Sequence, residues 1–167
     1  MTDLDRALQV LEALISTAPD YFSTWGQYRP DLVSQLETFW GHRLSSEVTH
    51  LCSRWPNIHL GYTSIDILGP VQNLPAAQLL TQDERSYWRV PANELVIARE
   101  NTDIVLLQSA GSIVTRDGST ERRVIFERYE SLGPFLLQRL RQNVDILYSF
   151  GDLDAGASTL FQRTLPE

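Results

Sequence analysis

The spacing of apolar residues changes at Pro56, and this change limits the chain to folds that combine helices with a sheet. Before Pro56, apolar residues recur every three or four positions, as in Leu4, Leu8 and Leu11, which is the period of an amphipathic helix. Residues 58–67 instead alternate between apolar and polar, as half-buried strands do. The sequence therefore predicts an α+β protein.

Three helices are predicted at the start of the chain. Residues 3–16 carry an apolar stripe and acidic residues in the first turn, which suit the positive end of a helix. A second helix begins at Asp31 and closes at Gly41, because glycine accepts the left-handed conformation that ends many helices. A third is capped by Ser45. The aromatic residues in segment 21–28 show no period, and we expect them to pin a loop against the body.

Strands dominate the second part of the chain. Besides the two short strands within 58–67, further strands are predicted at 95–99, 103–108, 112–116 and 123–126. Their separators are short and rich in turn-forming residues, and such gaps favour antiparallel hairpins. We therefore expect an antiparallel meander of about four to six strands, flanked by N-terminal and C-terminal helices.

The remaining segments are connections and a closing helix. Residues 69–93 contain three prolines and are predicted to be a long connection with one helical turn at 76–80. A last helix is capped by Ser131 and packs on the sheet. Residues 143–167 form an extension, either a further helix or a tail. The chain of 167 residues is close to one average domain, so we expect a single domain.

The charge balance excludes several function classes. All 14 basic residues are arginines and 21 residues are acidic, which gives a net charge of −7. This balance argues against binding to nucleic acid backbones. Without lysine there is no Schiff-base nucleophile and no phosphate-binding lysine of the kinase or P-loop type. The acidic N-terminus and the lack of a long apolar run predict a cytoplasmic protein without membrane partners.

The histidines and the cysteine are the first candidates for chemistry. His42, His50 and His59 lie near Cys52 in the sequence, but His50 and Cys52 are two positions apart on a predicted helix and so point in different directions. No serine-hydrolase, cysteine-protease or phosphate-loop motif occurs. We predict no catalytic residues, no metal and no cofactor.

The four tryptophans divide into two pairs. Trp40 and Trp55 fall on apolar helix faces and are predicted to lie in the core. Trp25 and Trp88 fall in segments without a period. These two either anchor their loops or supply the large contact area that protein-binding hot spots need.

The order of several short motifs resembles that of the SUKH superfamily. Leu32–Glu47 is similar to the opening helix, glycine and second helix start of that family, with serine in place of its proline. Glu94–Arg99, Thr102–Leu107 and Gly111–Asp117 resemble its consecutive strands, and Tyr129–Leu136 resembles its closing helix. The resemblance covers residues 31–141, between the N-terminal helix and the C-terminal extension.

This resemblance implies a twisted antiparallel sheet with flanking helices and a binding function without shared catalytic residues. Bacterial members act as immunity proteins that bind and block toxin domains, and others are regulatory or scaffold proteins. A net charge of −7 suits a basic partner such as a nuclease toxin.

We therefore expect a non-catalytic immunity protein that binds a cognate toxin, and a monomer or weak homodimer. The alternatives are a regulatory adaptor, a structural subunit of a larger assembly, and a small-ligand binder or enzyme that uses the Trp25 and Trp88 loops as a pocket rim. Partner contacts are expected from aromatic and acidic residues of the strands and nearby loops. These residues are Tyr62, Asp66, Trp88, Glu94, Asp103 and Glu121.

Overall fold

The computed structural model describes residues 1–118 and 124–153 of the chain. Its helices are α1 (Asp3–Thr17), α2 (Pro30–Trp40), α3 (Ser46–Arg54), α4 (Ala76–Glu84) and α5 (Leu132–Ser149). Its strands are β1 (Phe22–Trp25), β2 (Asn57–Leu60), β3 (Thr63–Asp66), β4 (Glu94–Glu100), β5 (Asp103–Gln108), β6 (Ile113–Arg116) and β7 (Ile125–Tyr129).

The strands form one antiparallel sheet in which each strand pairs with its neighbours in the sequence, in the order β1 to β7. The α+β class, the meander and the flanking helices are as predicted, but seven strands replace the expected four to six. The additional strand is β1, in the segment predicted to be a loop. Of its four residues only Phe22 is buried, so this edge strand leaves no alternating pattern in the sequence.

The helix ends follow the capping residues. Thr2 and Asp5 form a reciprocal capping box at the start of α1, which satisfies two otherwise unpaired backbone N–H groups. Gly41 ends α2 with a φ of 79°, a left-handed conformation that costs glycine little. Ser45 accepts a hydrogen bond from the N–H of Val48 and so caps α3 as predicted.

The main core lies between one face of the sheet and helices α1, α2, α3 and α5. Leu8, Leu36, Leu51 and Leu136 bring one helix each into this core. Helices α1 and α5 pack closely because Gly133 has no side chain. A Cβ there would lie 2.5 Å from the backbone nitrogen of Leu4.

A smaller apolar cluster lies on the opposite, outer face of the sheet. Val96, Ile104, Leu106 and Val114 form it, and Val90 from the preceding connection covers it. Helix α4 and the segment up to β4 therefore close the outer face over β4–β6.

Two helices extend beyond their predicted ends. Helix α4 continues four residues past the single turn expected at 76–80, and its buried residues include Thr81 and Glu84, whose polar character hides the helical period. Helix α5 extends to Ser149 and buries Val144 and Leu147, so the first part of the 143–167 extension is helix. Residues 154–167 lie outside the described part of the chain.

Candidate functional site

The outer face of strands β1, β2 and β3 presents polar and aromatic side chains toward solvent. We refer to Ser23, Trp25, His59, Ser64 and Asp66 as the β1–β3 face. Their side chains are half-buried or exposed, while the apolar residues that alternate with them lie in the main core. The sheet is thus covered on both faces at β4–β6, whereas the β1–β3 face is partly exposed to solvent.

The strand register brings these residues together in two rows. Ser23, His59 and Ser64 pair across β1, β2 and β3 in one row, and His59 Nδ1 shares a hydrogen bond of 2.8 Å with Ser64 Oγ. Trp25 and Asp66 flank the intervening β2 strand in the next row. Direct pairing across antiparallel strands accounts for the histidine–serine contact.

Asp66 is the electrostatically distinctive residue of this face. Its Oδ1 atom is buried and has no hydrogen-bond partner within the described structure. Burial raises the pKa of Asp66 above its ordinary value, while a hydrogen bond with the Trp25 side chain and the nearby charge of His59 act in the opposite direction. The face therefore holds a carboxyl group that solvates poorly and lacks a full set of partners.

Asn57 fixes the end of β1 that carries Trp25. Its Nδ2 atom donates to the carbonyl oxygens of Trp25 at 3.1 Å and Gly69 at 3.3 Å, and its Oδ1 accepts from the N–H of Gly69 at 3.1 Å. Gly26 allows this approach, because a Cβ at that position would lie 2.8 Å from Asn57 Nδ2. Trp25 consequently projects from an anchored backbone, although 42% of its surface is exposed.

Strand β1 also has an open edge. The N–H of Gly61 donates to the carbonyl oxygen of Tyr21 at 2.7 Å. Because every second residue of an antiparallel strand points its backbone N–H and C=O toward the same neighbour, those of Ser23 and Trp25 also face β2. The N–H and C=O of Thr24 therefore point away from the sheet, and they make no hydrogen bond within the described residues. An edge of this kind can pair with an added strand.

Tyr62 lies at the turn between β2 and β3, at the far end of the hairpin from Asp66. Its backbone N–H donates to Asn143 Oδ1 of α5 at 2.8 Å, so helix α5 holds the turn in place. The Tyr62 side chain is 58% exposed. It is an accessible aromatic group on a fixed backbone, as a contact residue requires.

Of the other four residues expected at the partner surface, three belong to the β4–β6 side of the structure and not to this face. Glu94 is only 2% exposed and is paired with Arg116 at 2.6 Å, so its carboxylate is buried in an ion pair within the sheet. Trp88 is half-buried and donates to Glu84, and Asp103 accepts from the N–H of Gly118. Glu121 lies outside the described residues.

The histidine and cysteine positions do not form a donor set. Cys52 is fully buried in the main core, and burial raises its pKa to about 12, so the thiol is neither nucleophilic nor a ready metal ligand at neutral pH. Within residues 1–118 and 124–153, no three His, Cys, Asp or Glu side chains are grouped so that they could hold a metal ion.

Comparison with protein-family models and with curated proteins found no match. Among the helices described, none combines the length and apolar character that crossing a membrane requires. The SUKH resemblance accordingly stays a prediction based on the motif order.

Sequence reasoning named Tyr62 and Asp66 as candidate contacts but missed the relation of Asp66 to Trp25 and His59. The alternation of Ile58 and Leu60 in β2 already placed His59 on the outer face, so that part of the site could have been found. The position of Trp25 could not have been predicted in this way, because it depends on β1, which has no periodic pattern of its own.

Proposed function

We propose that this chain is a non-catalytic protein-binding domain that contacts its partner through the β1–β3 face, and that it acts as an immunity protein against a bacterial toxin. The observation that carries the proposal is the exposed indole of Trp25, held on an anchored strand end beside the half-buried carboxyl group of Asp66. Tryptophan is enriched among the residues that supply most of the binding energy at protein interfaces.

The physical argument for a protein partner rests on area and preorganisation. A tryptophan supplies a large contact area at a small entropic cost, since its two side-chain torsions are easily fixed. Asn57 already holds the backbone at Trp25, so little ordering is required on binding. The outward backbone groups of Thr24 add hydrogen-bonding capacity that an extended segment of a partner can use.

The net charge of −7 favours a basic partner. Opposite charges accelerate encounter and help to set the register of a complex. A nuclease toxin domain, which must attract nucleic acid, has the required positive charge. The motif order that resembles the SUKH superfamily supports the same class of partner.

The alternatives use the same surface differently. A regulatory adaptor or a structural subunit would bind a permanent partner through the face. A small-ligand binder or enzyme would use the Trp25 and Trp88 loops as its pocket rim, with Asp66 and His59 as polar groups on the same face as Trp25.

The experiment is affinity purification of the tagged chain from its native cells, followed by native mass spectrometry. We expect a basic protein at a fixed stoichiometry. For the isolated pair, Trp25→Ala should weaken binding by about 30-fold or more, the loss typical of a central aromatic residue. Tyr148→Ala, at an exposed aromatic residue of α5 in the other layer, is the matched control and should bind as the unmodified chain does.

Recovery of no stoichiometric partner, or equal affinities for the Trp25→Ala and Tyr148→Ala variants, would contradict the proposal. Recovery of a basic toxin whose activity the chain does not block would retain protein binding but exclude the immunity role.

A further inference from the structure

A second surface, formed by residues 85–92 between α4 and β4, has a different character from the β1–β3 face. The segment surrounds an open groove of about 600 Å³. Its lining consists of Arg85, Ser86, Tyr87, Trp88, Arg89, Val90 and Ala92. The groove combines two cations with two aromatic rings on a chain whose net charge is −7.

The inner wall of the groove is held in place by the sheet. Trp88 Nε1 donates to Glu84 Oε2 at 2.9 Å, and the guanidinium carbon of Arg116 lies 5.8 Å from the centre of the Trp88 ring. Val90 is buried in the outer apolar cluster. The wall formed by Trp88 and Val90 is therefore in place before a ligand binds, which lowers the entropic cost of binding.

The acidic residues near the groove are engaged by other arginines. Arg99 pairs with Glu84 at 3.0 Å and also with Asp83. Glu94 is held by Arg116, the arginine that also lies over the Trp88 ring. Each of these carboxylates is paired with an arginine of the sheet, with Arg99 shared between Asp83 and Glu84, and the positive charge of the groove comes from its own residues.

Arg85 and Arg89 supply that charge. Both are exposed, and neither forms an ion pair with any carboxylate in the described parts of the chain. The guanidinium carbon of Arg85 lies 4.9 Å from the centre of the Phe39 ring on α2, a contact that orients the cation without neutralising it. Between them Tyr87 is 78% exposed.

We propose that the groove at residues 85–92 binds an acidic peptide segment of a second protein. Carboxylates of the peptide pair with Arg85 and Arg89, whose planar guanidinium groups match carboxylates in two-point hydrogen bonds. An apolar or aromatic side chain of the same peptide lies against Tyr87. This site stands apart from the β1–β3 face and does not depend on the partner proposed there.

The charge distribution favours a peptide over a nucleic acid. Binding to a phosphate backbone gains strength from many cations along a track, whereas this groove offers two on a chain with a surplus of acids. A peptide with a few carboxylates around one apolar residue does not need such a track. Two exposed arginines and one exposed ring provide such contacts.

The test is fluorescence anisotropy with a labelled peptide of alternating glutamate and phenylalanine, and with a second peptide in which glutamine replaces each glutamate. We expect saturable binding of the acidic peptide that weakens as sodium chloride is raised, and at least tenfold weaker binding of the glutamine peptide. The double variant Arg85→Gln/Arg89→Gln should lose about tenfold or more in affinity for the acidic peptide.

Arg141→Gln is the matched control, because Arg141 is an exposed arginine of α5 without an ion pair among the described residues. It should bind the acidic peptide as the unmodified chain does, and so should Trp25→Ala. The proposal is overturned if the chain does not bind the acidic peptide, if both peptides bind equally, or if the double variant binds normally. Tighter binding of a single-stranded oligonucleotide of equal charge would also overturn it.

Discussion

Arg139 of α5 is joined to Glu100 of β4 by two parallel hydrogen bonds, from Nε at 2.6 Å and from Nη2 at 2.9 Å. The same guanidinium pairs with Glu127 of β7, and Thr63 of β3 donates to Glu100 at 2.9 Å. One side chain thus ties the closing helix to separate strands of the sheet. Although burial opposes it, hydrogen bonds with Glu127 and Glu100 raise the pKa of Arg139, so the charge persists.

Arg139→Met should therefore be among the most destabilising single changes in the chain. Arg139 is 4% exposed, and its removal leaves Glu100 and Glu127 without their cation. Breaking a buried pair in this way typically costs about 3–5 kcal/mol, which urea denaturation can measure. Arg141→Met, two residues away on the same helix, should stay within about 0.5 kcal/mol. Equal losses for the two variants would show that the network contributes little.

Thr81 is predicted to stabilise the fold through its hydroxyl group. Its Oγ1 accepts a hydrogen bond from the buried N–H of Val96 at 2.9 Å, next to the irregularity between Val96 and Ala98 in β4. Thr81→Val should lower the free energy of unfolding by about 1–3 kcal/mol, because it leaves a buried N–H unpaired. Thr81→Ser keeps the acceptor and should retain more of the stability. A reversed order would contradict this role.

Gly26 allows a steric prediction with an internal control. Its φ is 85°, and a Cβ would lie 2.9 Å from the carbonyl oxygen of Gly69 as well as against Asn57. Gly41 has a similar φ of 79° but open space around it. Gly41→Ala should cost about 1 kcal/mol for the backbone conformation alone, and Gly26→Ala should cost clearly more in thermal unfolding. Equal losses of stability for the two variants would mean that Asn57 and Gly69 leave room for a Cβ at position 26.

Asp66 should make stability depend on pH in a defined direction. Its pKa is raised in the folded state, so the protonated form is favoured there, and the stabilisation present below the unfolded pKa is lost as pH rises through the folded pKa. Asp66→Asn stays neutral. It should therefore be more stable than the unmodified chain at pH 7, by about 1 kcal/mol, and this advantage should shrink as the pH falls toward 4. An advantage that grows on acidification would refute the assignment.

The main fold could be predicted because most elements carry a strong local pattern. Helix α1 has a continuous apolar stripe and a capping box, and β5 has a buried run between two turns. Strand β1 could not be predicted, since a four-residue edge strand with one buried side chain is defined by its partner and not by its own residues.

The candidate site was accessible from the sequence only in part. Asp66 follows from the alternation in β3, whereas Tyr62 is in phase with the buried Ile58 and Leu60 and is exposed only because it lies in the turn. Glu94 shows the limit of such reasoning, because a glutamate at a strand start ordinarily faces solvent, whereas here Arg116, two strands away in the sheet, draws it into the interior. Such pairs depend on long-range register, which no local pattern reports.

Hydrogen exchange of the chain, free and bound to its purified partner, tests the central claim most directly. Because the β1–β3 face is the proposed interface, amides in peptides covering residues 21–28 and 57–66 should gain protection in the complex, including the outward N–H of Thr24. The helical layer of α1 and α5 should exchange as in the free chain. Protection confined to α1 and α5, with residues 21–28 unchanged, would contradict the account.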